Sequence, residues 1–165
     1  MKRVRSKIGD VFAAKIGNNK KKYFQYVAND LTQLNSDVIR AFRQGYDLDA
    51  EPDLACIVAG DVQFFAHCVT KLGLKMGLWE KVGNNSDIGE QSEIYFRRSA
   101  DYGRRADEEP VRVSNRWSIW KINEEFQYIG KLDEKNRRAH IGLVINPLGI
   151  IELLKDNKYP PNYPE

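Results

Sequence analysis

Cys56, His67, Cys68 and His140 are the only cysteines and histidines in this 165-residue chain. They are therefore its only soft metal ligands and its strongest candidates for nucleophile or base. A zinc site needs about four such groups converging on one point. Ten residues separate Cys56 from His67, which matches no ligand knuckle. Adjacent His67 and Cys68 would point to opposite faces of a strand. A catalytic thiol needs a histidine beside it and a polarised environment, whereas Cys68 stands in an apolar run. His140 follows Arg137-Arg138 and opens another apolar run, a setting for packing or exposure rather than for a base. Glu124-Glu125 and Asp107-Glu108-Glu109 read as solvated turns. Gly83, Gly89 and Gly103 do not stand between a strand and a helix at phosphate-binding spacing. The residues thus predict no metal, no cofactor and no enzyme.

Basic clusters interleaved with aromatics are the remaining chemistry. They are Lys20-Lys21-Lys22, Arg97-Arg98 with Arg104-Arg105, and Arg137-Arg138, near Tyr23, Phe24, Tyr95, Phe96 and Tyr102. Phosphate contact plus base stacking would suit single-stranded nucleic acid. Tyrosine and arginine are equally the anchor residues of protein interfaces, and hairpin tips and strand ends are ordinarily solvated. The loop 99–110 and the edge 46–53 are polar and acidic, each with a tyrosine outside any core pattern. A partner protein is expected there, with Tyr46, Tyr102, Arg104 and Arg105 as contacts.

The elements that must position these residues are mostly strands. Residues 11–16 and 23–28 flank the turn Gly17-Asn18-Asn19-Lys20 and predict a hairpin. Tyr23, Gln25 and Val27 share one face, Phe24 and Tyr26 the other. Further strands are predicted over 37–43, 54–59, 64–69, 78–82, 93–98 and 139–145. A second hairpin is predicted from 117–122 and 126–130. Glycines 73 and 77 argue against a helix over 70–77. Asn146 and Pro147 open a C-terminal helix to Asp156, and 159–164 reads as an extended tail. The expected core comprises Val11, Phe12, Tyr26, Ile57, Val58, Trp79, Ile119, Ile141, Val144, Leu148, Ile151 and Leu154. Cys56 and Cys68 are expected reduced and buried.

The pattern predicts one β-rich α+β domain over residues 1–165: a bent antiparallel sheet or partly open β-barrel with a C-terminal helix. Residues 1–50 carry ten Lys/Arg against five Asp/Glu, residues 51–110 seven against eleven, and residues 111–165 nine against seven. The total of +3 is too small to argue nucleic-acid binding by itself. No apolar run reaches the roughly 18 residues of a membrane span, and none of signal-peptide length follows the basic start. Cytoplasmic residence without membrane attachment is the expectation.

Lys7-Ile8-Gly9-Asp10-Val11-Phe12, Lys22-Tyr23-Phe24-Gln25-Tyr26-Val27 and Val38-Ile39-Arg40-Ala41-Phe42 resemble the start of the immunity protein 26 family. Gly77-Leu78-Trp79-Glu80-Lys81-Val82-Gly83 resembles that family's tryptophan-containing segment, so the likeness spans residues 3–98. These proteins are cognate inhibitors encoded beside toxins of bacterial contact-dependent and polymorphic-toxin systems. The resemblance implies a cytoplasmic protein that binds and blocks one toxin and has no catalytic residues. Immunity proteins against nucleases are often acidic. The mildly basic balance here argues against a nuclease target, or confines contact to the acidic segments 47–61 and 101–109. A nucleic-acid-binding β-barrel module is the alternative reading.

Overall fold

The computed structural model describes residues 4–103 and 106–165. In chain order the first strands are β1 (Asp10–Lys15), β2 (Lys20–Asp30), β3 (Ser36–Phe42) and the two-residue β4 (Tyr46–Asp47). Helix α1 (Leu54–Val58), β5 (Val62–Cys68), α2 (Thr70–Lys75) and β6 (Trp79–Asn84) follow. Then come β7 (Tyr95–Ser99), β8 (Trp117–Lys121), β9 (Gln127–Gly130), β10 (His140–Ile141), β11 (Val144–Ile145) and α3 (Pro147–Asp156). The chain has the expected β-rich α+β character with a C-terminal helix, and its strands form two open sheets. The larger runs β11-β5-β3-β2-β1-β6, with β4 pairing the start of β2; the smaller runs β10-β7-β8-β9. No helix among the described residues is long and apolar enough to cross a membrane.

Both faces of the large sheet are covered, which is why its strands are apolar on both sides. On one face Phe12, Phe24, Ile39, Ala41 and Phe64 pack beneath Ile150, Ile151, Leu153 and Leu154 of α3. The opposite face carries two apolar clusters. Val11, Ala13, Tyr23 and Phe42 meet Ile57 and Val58 of α1. Val27 and Val38 meet Ile94, Phe96 and Trp120, which bring in the small sheet. Between them lies a buried polar pair. Arg40 Nε donates to Gln25 Oε1 at 2.9 Å, and Gln25 Nε2 donates to the carbonyl of Asn85 at 2.9 Å.

Several expectations are corrected. Residues 54–59 form α1 rather than a strand. A short apolar run has no period that separates the two, and only Ile57 and Val58 of this one are buried. Cys56 is consequently exposed, while Cys68 is buried; both are free thiols. Residues 70–75 form α2 despite Gly73. A Cβ there would lie 1.9 Å from the Trp79 ring, so the glycine admits the indole, whose Nε1 donates to the Thr70 carbonyl at 2.9 Å. Residues 139–145 are two strands, not one. His140–Ile141 runs parallel to β7 and Val144–Ile145 parallel to β5. The chain changes sheets at Gly142, where a Cβ would meet Trp120 at 2.0 Å. Ile141 and Val144 are accordingly half-buried.

Helix α3 is as expected: Asn146 Oδ1 accepts from the Gly149 N–H at 2.9 Å and Pro147 opens the first turn. Its buried face is Pro147, Gly149, Ile150, Ile151, Leu153 and Leu154, so Leu148, on the opposite arc with Glu152 and Lys155, is 57% exposed. The tail folds back instead of extending away. Glu165 donates its N–H to the Arg112 carbonyl at 2.8 Å and accepts from the Ser114 N–H at 3.1 Å.

Candidate protein-binding surface

The long connection from β7 to β8 is tied at its root by serines and one carboxylate. Asp101 is buried, and its Oδ2 accepts from the Ser114 hydroxyl at 2.8 Å. Ser99 Oγ donates to Ser114 Oγ at 2.6 Å and accepts from the Asp101 N–H at 3.0 Å. Arg116 approaches Asp101 Oδ1 at 3.3 Å. The Ala100 N–H donates to the Arg116 carbonyl at 3.0 Å, so the root continues the β7–β8 ladder. A buried carboxylate is tolerated because its acceptor positions are met.

This root delivers Tyr102 onto the returning tail. Its ring lies 5.1 Å from that of Tyr163, which packs 5.7 Å from Trp117. Tyr163 donates its hydroxyl proton to the Arg97 carbonyl at 3.1 Å, and the Arg97 guanidinium stands over Trp117 at 5.2 Å. Burial pushes the phenol pKa values of Tyr102 and Tyr163 upward, so both stay protonated at neutral pH. Beside Tyr102 is a concavity of about 290 Å³ bounded by Gly103, Val111 and Pro161. A second, of about 480 Å³, reaches Arg112, Val113 and Tyr163. The two share Pro110 and Asn162 and lie side by side. Arg104 and Arg105 lie outside the described residues.

Tyr46 is elsewhere. Its ring meets Tyr23 edge-on at 5.4 Å and packs against the α1 cluster. Burial, then Tyr23, raises its pKa. It is half-buried in its own fold, and no hydrogen bond, ion pair or ring contact among the described residues joins it to Tyr102. The basic hairpin is also committed within the chain. Lys20 pairs with Asp47 at 2.7 Å, Lys21 Nζ donates to the Leu48 carbonyl at 2.9 Å, and Lys22 Nζ donates to Gln63 Oε1 at 2.9 Å. Arg98 stacks on Phe126 at 3.9 Å.

A polar centre that the sequence reading missed joins the two sheets. Asp30, at the end of β2, has no solvent exposure. Its Oδ2 meets His67 Nε2 at 2.8 Å and accepts from Trp120 Nε1 at 3.0 Å. Its Oδ1 accepts from the Asn123 N–H at 3.0 Å and the Thr32 N–H at 3.1 Å. Burial pushes the Asp30 carboxyl up, but the donors Trp120, Asn123 and His67 outweigh it and hold it below its ordinary value. For His67 burial wins over the attraction of Asp30 and lowers its pKa. The imidazole is therefore neutral, donating from Nε2, with Nδ1 buried and without a hydrogen-bond partner among the described residues. Among the described residues no three His, Cys, Asp or Glu side chains gather to hold a metal ion. No family model matches the chain, and neither a curated protein nor a solved structure matches it.

Proposed function

We propose that this chain is an immunity protein: it binds a cognate bacterial toxin in the cytoplasm and blocks it, without chemistry of its own. The observation that carries the reading is the Tyr102 surface. A loop held by the buried Asp101 carboxylate presents a tyrosine at one of two neighbouring concavities. A recognition loop ordered before binding loses less conformational entropy when the partner arrives, and tyrosines in concave, partly dry settings are the common anchors of interfaces. The resemblance of residues 3–98 to the immunity protein 26 family points the same way.

The buried histidine–carboxylate pair supports binding over catalysis. His67 and Asp30 both have zero exposure, so no substrate reaches them. The nucleic-acid reading is less well supported, because Lys20, Lys21, Lys22 and Arg98 are already engaged within the chain. Phosphates would have to displace those contacts.

Co-expression with the toxin encoded beside it tests the reading. Val113 is 64% exposed and Arg112 is also exposed. Replacing Val113→Asp and Arg112→Glu together is expected to abolish protection while leaving the thermal melt within about 2 °C, as for surface changes generally. Full protection by this double variant would move the interface away from the Tyr102 surface.

A further inference from the structure

A second concavity lies on the opposite chemistry. Arg5, Lys7, Lys71 and Lys81 line a space of about 600 Å³ whose one acidic residue is Asp10. The lining thus carries a formal surplus of +3.

Asp10 neutralises one of the four cations: its fully buried carboxylate pairs with Lys81 Nζ at 2.8 Å and also accepts from the Lys7 N–H at 3.0 Å and Asn84 Nδ2 at 2.8 Å. Arg5, Lys7 and Lys71 have no ion-pair partner among the described residues. The hollow is built from three separate pieces: the segment before β1, helix α2 and strand β6. Ser6 Oγ and Thr70 Oγ1 share a hydrogen bond at 2.6 Å, which fixes the first piece to the second.

We propose that this hollow binds an acidic polypeptide segment of a partner protein. The volume and the spread of the cations over three elements suit several carboxylates on an extended segment rather than one compact anion. No aromatic ring lines it among the described residues, so it offers no stacking platform for bases, which single-stranded nucleic acid uses for much of its affinity. Three of the four cations are lysines, compact point charges that accept carboxylates in many geometries. The inference does not depend on the Tyr102 surface.

Fluorescence anisotropy with a labelled oligoglutamate peptide tests this on the intact protein, with an oligoglutamine peptide and a single-stranded DNA of equal charge as comparisons. The oligoglutamate is expected to bind, more weakly as salt rises. The double variant Lys7→Glu with Lys71→Glu should bind it about tenfold less tightly or worse, with an unchanged circular-dichroism spectrum. Lys135→Glu, on the small-sheet side, should bind as the wild type does. The proposal is overturned by no binding to oligoglutamate, by equal binding of the double variant, or by tighter binding of the DNA than of the peptide.

Discussion

At the scale of single residues, Asp30 and His67 hold the two sheets together, and their protonation sets the acid behaviour of the fold. His67 has a lowered pKa from burial; His140 is also lowered, by burial and then by Arg97. Unfolding releases both imidazoles to an ordinary pKa of about 6.5. Below that pH the unfolded chain takes up protons that the native chain refuses, so stability falls as pH falls. The slope is at most about 1.4 kcal/mol per pH unit for each histidine. Asp30, held below its ordinary value, adds a further loss only at lower pH, as its carboxylate protonates. Urea midpoints measured between pH 7.5 and 5 should decline on acidification, and His67→Gln should roughly halve the decline. An unchanged pH profile in that variant would show that His67 titrates alike in the native and unfolded chains, and a steeper decline would show that it is charged in the native state. This centre was hidden in the sequence because its parts come from β2, β5, β8 and the turn after β8. Tyr102 was legible as a loop aromatic. Its support was not, since Tyr163 reaches it only because the tail folds back.

At the scale of elements, glycine positions separate propensity from packing. Helix propensity alone predicts that Gly73→Ala stabilises α2 by about 1 kcal/mol. Packing predicts the reverse, because the new methyl would lie 1.9 Å from the Trp79 ring. Trp79 also stacks edge-on against Phe24 at 5.0 Å and cannot retreat without disturbing the core. Overpacking of this kind costs about 1–3 kcal/mol, so a net loss of stability is expected in chemical denaturation; a gain would mean that the indole has room to move. The same conflict explains what the chain's local signals conveyed. Asn146-Pro147 is a start signal written within one turn, and the hairpins carry their turns between their strands, so these elements were legible. Helix α1 was not, because five apolar residues suit either structure until Ile57 and Val58 meet the large sheet. Residues 139–145 read as one strand because nothing local records that two sheets claim its two halves. Leu148 fits a helical spacing, but the stripe that meets the sheet centres on Ile150, Ile151 and Leu154.

At the scale of the whole molecule, the two proposed surfaces lie beside different sheets. The Tyr102 surface is aromatic and concave, set where the small sheet, the loop after β7 and the tail converge. The cationic hollow is formed beside β6, the edge strand of the large sheet. Among the described residues, the buried side-chain polar atoms have hydrogen-bond partners apart from His67 Nδ1 and Arg97 Nε. Hydrogen exchange of the protein alone and mixed with a toxin encoded beside it tests the proposal of a toxin-binding Tyr102 surface most directly. Protection gained over residues 100–113 and 161–165, with the β1–β3 amides unchanged, is the predicted result. Protection confined to other segments, or no protection at all in a mixture where the toxin remains active, would contradict it.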